Sequence, residues 1–87
     1  MKEHEDNQGR QLMRAAEANR LLNNPLMQEF FRDLEEFLKR TIWECPVDDE
    51  ATIKYVKNQG YYLKLFKTTL ETYITEGKLI EQEINNP

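Results

Sequence analysis

Residues that break helices are scarce in this chain: three glycines and three prolines among 87 positions. So few turn formers argue against a many-stranded β fold and for long helices. Cys45 is the lone cysteine, which excludes an intrachain disulfide and a thiolate metal cluster. No apolar run approaches the roughly 20 residues needed to span a bilayer. The opening Met-Lys-Glu-His-Glu-Asp-Asn-Gln has no apolar centre and does not read as a secretory signal. A soluble, intracellular product without a membrane partner is expected.

Charged residues make up 32% of the chain and aromatics 10%, too aromatic for a typical disordered chain and too charged for a membrane protein. A chain of this length buries only about 60–65% of its unfolded surface, so a partner or a second copy would add needed burial. The net charge of −4 is unevenly spread. Residues 26–50 carry eight acids against three bases, whereas residues 51–70 carry Lys54, Lys57, Lys64 and Lys67 and no acid. An acidic segment followed by a basic one suggests that the two lie together.

The expected fold is all-α: an antiparallel helical hairpin with an additional N-terminal helix, a three-helix arrangement in one small domain spanning 1–87. Residues 1–8 are polar and expected to fray. A first helix is predicted over 8–22, with Leu12, Ala15, Ala16 and Leu22 as a shallow stripe of mostly small side chains. Asn23-Asn24-Pro25 then punctuates the chain, with Asn24 as cap and Pro25 at the first position of a second helix over 25–44. The apolar residues of that helix, from Leu26 through Phe30, Phe31, Leu34, Phe37 and Leu38 to Ile42, fall within an arc of roughly 160°. Trp43 projects from its polar side.

Pro46 disfavours helix at Cys45, and Asp48 or Asp49 caps the next helix. This long helix is predicted over 49–76, with Gly77 as a left-handed cap and 78–87 as a short amphipathic tail. Its apolar and tyrosine residues span about 180°, wider than one partner helix covers. Gly60, inside that stripe, suggests a close backbone approach or a kink. Folding back across the turn sets Ile42 near Ile53, Leu38 near Val56, Leu34 near Gly60 and Met27 near Phe66. Leu70, Tyr73 and Ile74 then overhang the end of the second helix, to be covered by the first helix, the tail or another chain.

Little here specifies chemistry. His4 stands among Glu3, Glu5 and Asp6 in a polar tail with no fixed geometry, so no metal site is assigned. Cys45 sits in a turn, with His4 as the only histidine, and no catalytic residue or cofactor site is assigned. An enzyme is disfavoured. The lysine strip with Tyr61 and Tyr62 would suit a nucleic acid, but the chain is acidic overall and nucleic acid is the weaker reading. Exposed apolar residues carry more. Trp43, Tyr61 and Leu65 point away from the main stripes, and Leu70, Tyr73 and Ile74 overhang; these six are the expected protein interface.

The run Leu-Leu-Asn-Asn-Pro-Leu at 21–26, the acidic apolar helix, the Pro/Asp turn and the closing Glu-Thr-Tyr-Ile-Thr-Glu-Gly-Lys-Leu at 71–79 resemble a group of small helical proteins of tailed bacteriophages. The resemblance covers roughly residues 15–80. That group tends to be encoded among head and packaging genes, so it implies a virion or assembly role in the host cytoplasm or the virion. It carries no catalytic residues. The expected function is therefore non-enzymatic assembly through a protein partner or a homo-oligomer. An alternative is a small acidic inhibitor of a host enzyme or defence complex, imitating nucleic acid through Glu29, Asp33, Glu35 and Glu36. A nucleic-acid-binding accessory protein is a third reading.

Overall fold

The structure, a computed structural model, describes the backbone of residues 2–85 and the side chains of residues 7–85. Three helices account for nearly all of it: α1 Lys2–Leu22, α2 Pro25–Glu44 and α3 Glu50–Asn85, with no strand among the described residues. Their boundaries follow local chemistry. The Asn24 side-chain oxygen accepts the N–H groups of Leu26 at 2.9 Å and Met27 at 3.1 Å, and Pro25 occupies the adjoining position where its missing N–H costs nothing. α2 ends where Pro46 holds Cys45 in an extended conformation, φ −77° and ψ 147°. Asp49 caps α3, accepting the Thr52 N–H at 3.1 Å and the Thr52 hydroxyl at 2.7 Å.

α1 and α2 lie end to end along α3, both antiparallel to it. Along α1, Arg14 reaches Glu76 and Ala15 meets Gly77. Along α2, the Phe31 ring meets Phe66 and Glu35 takes Lys67. Position rises along the first pair of helices as it falls along α3. The molecule is thus a helical hairpin with one leg broken at Asn23-Asn24-Pro25. Its long dimension, 58 Å, matches the length of α3, about 54 Å at 1.5 Å per residue. The radius of gyration is 18.3 Å, against about 12 Å for a compact chain of this length. It is a rod.

Several sequence expectations are corrected by the structure. α1 begins at Lys2 instead of near residue 8. α3 does not stop at Gly77, which has no positive φ, but continues through the expected tail to Asn85. The reason is packing: Gly77 is buried against α1, and a Cβ there would overlap the Cβ of Ala15. The close backbone approach belongs to Gly77, whereas a Cβ at Gly60 would meet nothing within 4 Å. The hairpin register also differs by about one turn, since Phe31, not Met27, meets Phe66.

The core is thin. Ala18, Phe31, Leu38, Val56, Leu70 and Ile80 are buried, yet no large side chain is wholly enclosed. A rod two helices thick offers each side chain only one partner helix, so the outer flank of every apolar stripe stays in water. The two halves of the rod also differ. Ala15, Ala18 and Gly77 let α1 approach α3 closely, whereas phenylalanines and leucines hold α2 and α3 further apart.

Candidate interaction face

The apolar arc of α2 is only half used inside the chain. Phe31 and Leu38 are buried against α3, with Met27 and Leu34 half-buried beside them. Phe31 is held by the Phe66 ring at 5.7 Å, the Phe30 ring at 5.9 Å and the Lys67 ammonium at 5.4 Å. At 100° per residue, Leu26, Phe30 and Phe37 form the neighbouring flank, and all three are exposed. α3 divides likewise. Val56 and Leu70 point inward, while Tyr55, Tyr62 and Phe66 form an exposed flank.

The two open flanks lie on the same side of the rod. Glu35 and Lys39 of α2 line a groove with Gly60, Lys64, Lys67 and Glu71 of α3, bridged by Lys67 Nζ to Glu35 at 3.2 Å. That charged groove occupies one side of the α2/α3 pair, and the remaining flank of each helix borders the other. Leu26, Phe30, Phe37, Tyr55, Tyr62 and Phe66 therefore make a shared aromatic side, each residue between 47% and 72% exposed. A shallow hollow lined by Tyr62, Leu65, Phe66 and Tyr73 extends it along α3.

The structure divides the six residues expected at an interface. Trp43, at 88% exposure, Tyr61 and Leu65 are open, as expected. Leu70 is buried and Tyr73 and Ile74 are half-buried, so the end of α3 is no overhang. α1 covers it. The Arg14 guanidinium lies 3.9 Å over the Tyr73 ring and donates to Glu76 at 2.9 Å, while Ile74 shares a groove with Leu12, Ala15 and Ala16. Of the covers the sequence left open, the first helix is the one found, and it was the less expected because small alanines bury little area themselves, yet they bring two backbones close. Sequence reasoning missed the Phe30–Phe37–Tyr62–Phe66 side. Its signal was the width of both arcs, more than one partner helix covers.

Trp43 and Tyr61 face elsewhere. By helical position Trp43 lies on the outer face of α2, and Tyr61 on the outer face of α3, where its ring packs edge-on against Tyr62 at 5.5 Å. Lys54, Lys57 and Lys64 share that outer region of α3 and are exposed, while Lys67 is engaged with Glu35. Among the acids proposed as a nucleic-acid mimic, Glu35 is thereby engaged as well. Glu29, Asp33 and Glu36 remain exposed, interspersed with Arg32 and Arg40.

The titration shifts belong to local structure. The Thr52 hydroxyl, and then the Thr52 N–H, hold Asp49 below the usual carboxylate range. Arg20, bonded to Glu17 at 2.9 Å, lowers Glu17 and is itself raised. Cys45 is half-buried, its Sγ donating to the Ile42 carbonyl at 3.3 Å. The described residues contain no group of His, Cys, Asp and Glu placed to hold a metal ion. His4 lies outside the residues whose side chains are described. No helix of the described residues is long and apolar enough to cross a membrane.

Comparison of the chain with protein-family models, with curated proteins and with solved structures returned no match.

Proposed function

We propose that this chain is a non-enzymatic assembly protein that acts by protein–protein contact, of the kind implied by its likeness to small helical proteins of tailed bacteriophages. The aromatic side of the α2/α3 half carries this reading. Four aromatic rings and a leucine of that side leave half or more of their surface in water, and Phe66 nearly half. Tyr and Phe are enriched where proteins bury surface against one another, and exposed apolar stretches of this extent mark contact sites. The grooves elsewhere are open channels between two helices, lined by aliphatic stems and by charged side chains such as Lys67 and Glu35, which are engaged with each other. The nucleic-acid mimic is the weaker reading because its acidic face is short, broken by Arg32 and Arg40, and has Glu35 already paired. The phage part of the proposal rests on the residues at 21–26 and 71–79.

The test tracks the chain in the system that produces it. Gradient fractions of heads and finished particles should contain it. Phe37→Asp with Tyr62→Asp should remove it from those fractions or lower the particle yield. A chain absent from every particle fraction, with a particle yield indifferent to the double change, would overturn the proposal.

A further inference from the structure

We infer that the outer face of α3 from Lys54 to Lys64 binds single-stranded nucleic acid, with its lysines on the phosphates and the Tyr61 ring against a base. This surface is separate from the aromatic side, so it adds an activity to the protein contact proposed above.

Helical spacing assembles the face. Lys54 and Lys57 stand seven and four residues before Tyr61, and Lys64 three residues after it, so one stripe of the helix carries all four. Tyr61 is 62% exposed, and its ring is backed edge-on by Tyr62 at 5.5 Å. Exposed Asn58 and Thr68 continue the stripe with uncharged polar groups. Among the described residues no ion pair engages Lys54, Lys57 or Lys64, whereas Lys67 is held by Glu35.

The acidity of the chain as a whole does not reach the centre of this stripe. Residues 51–70 contain no acid. Glu50, one turn before Lys54, ends the stripe on one side, and Glu71 ends it on the other. Both stand about 15 Å along the helix from the level of Tyr61, beyond the screening length of about 8 Å at physiological ionic strength. Across the rod, Glu29, Asp33 and Glu36 lie by helical position on the outer face of α2, which points the opposite way. Glu35 is occupied by Lys67.

Chemistry selects the occupant. A cationic stripe alone suits any polyanion, an acidic peptide included. A ring set among the cations adds a flat platform that a base fills by stacking, and that an aspartate or glutamate side chain does not. A duplex keeps its base faces inside the stack and would leave Tyr61 unused. From Lys54 to Lys64 the stripe is about 15 Å long at 1.5 Å per residue, so a strand lying along it is met through a few nucleotides.

The experiment is fluorescence anisotropy of a labelled oligothymidylate titrated with the full chain at low ionic strength. Binding should be measurable there and weaken with added salt, with a slope of log K against log salt of about −2 for three phosphates. Lys57→Gln with Lys64→Gln should reduce the slope to about −0.7. Tyr61→Ser should weaken binding about tenfold, whereas Tyr55→Ser, on the aromatic side, should leave it unchanged. All four residues are exposed, so helical circular dichroism should stay that of the wild type. No anisotropy change at low salt would overturn the proposal. A duplex of the probe with oligoadenylate that binds as tightly as the single strand would overturn the stacked strand. Oligoglutamate competing as well as unlabelled oligothymidylate, with binding indifferent to Tyr61→Ser, would put an acidic protein segment in place of nucleic acid. The particle assay of Phe37 and Tyr62 is independent of each result, so this inference and the protein contact fail separately.

Discussion

Gly77 of α3 faces Ala15 of α1 so closely that a Cβ on the glycine would overlap the Cβ of the alanine. A glycine inside a helix ordinarily weakens it by about 1 kcal/mol relative to alanine. Here the helices approach through that missing atom, and the obstacle is a short, rigid side chain that cannot swing aside. Gly77→Ala should therefore destabilise the protein despite its better helix propensity. Overpacking of this kind costs about 1–3 kcal/mol. Urea denaturation followed by circular dichroism measures it, and a gain in stability would contradict the close crossing.

Gly60 provides the opposite case. A Cβ there meets nothing within 4 Å, and the residue sits mid-helix with no positive φ. Gly60→Ala should raise stability by about 0.5–1 kcal/mol, through the smaller conformational freedom of the unfolded chain. The same denaturation experiment reads both glycines, and the two signs should differ.

These two glycines also mark how far the sequence could be read. The ends of α2 and the start of α3 were legible because Asn24, Pro25, Pro46 and Asp49 act through their own backbone neighbours. Gly77 was not, since a glycine that caps a helix and one that admits a neighbouring backbone look alike without the neighbour. The same gap left the cover over Leu70 open between the first helix, the tail and another chain. The alanines at 15, 16 and 18 suggested weak burial, whereas their effect is to let Arg14 reach Tyr73 and Glu76. The widths of the α2 and α3 arcs were readable. Which flank stayed open depended on the register and on Glu35 pairing with Lys67, both long-range facts.

Arg14 ties α1 to α3 by stacking on Tyr73 and by its bond to Glu76, at a site where both charged side chains are nearly half exposed. An exposed cation–π contact contributes about 0.5–1 kcal/mol and a surface ion pair about 0.2–1 kcal/mol. Arg14→Ala should cost about 1 kcal/mol in all, and Arg14→Lys should recover only part of it because the planar stack is lost. Added salt should shrink the difference between wild type and Arg14→Ala. A variant as stable as the wild type at low salt would show that α1 is held by Ala15 and Gly77 alone.

Asp49 and Glu17 have carboxyl groups lowered from their ordinary values of 3.8 and 4.5, by Thr52 and Arg20 respectively. A carboxylate lowered on folding contributes stability that is fully present above its unfolded pKa and fades as pH falls through its folded pKa. Thermal stability should accordingly be level near neutral pH and decline as pH falls below the ordinary carboxylate range. Asp49→Asn keeps a capping oxygen for the Thr52 N–H but cannot titrate. That variant should have a shallower acid decline than the wild type. An identical decline would mean that the Asp49 cap is not charge-dependent.

Trp43 separates the aromatic side from the sequence-based interface. It is 88% exposed on the outer face of α2, next to the turn where Val47 is also open. A partner docked on the side of Phe37 and Tyr62 leaves that face in water. The emission of the single tryptophan should therefore be that of a solvated indole, and it should not shift when the chain joins the particle fractions. Iodide should quench it equally in the free and the incorporated chain. A blue shift or protection on incorporation would place Trp43 in the contact and move the interface towards the closed end of the hairpin. Because Tyr61 also lies outside the aromatic side, Tyr61→Ser should leave incorporation unchanged, whereas Tyr62→Ser should lower it. The pair of adjacent tyrosines thus distinguishes one face of α3 from the next.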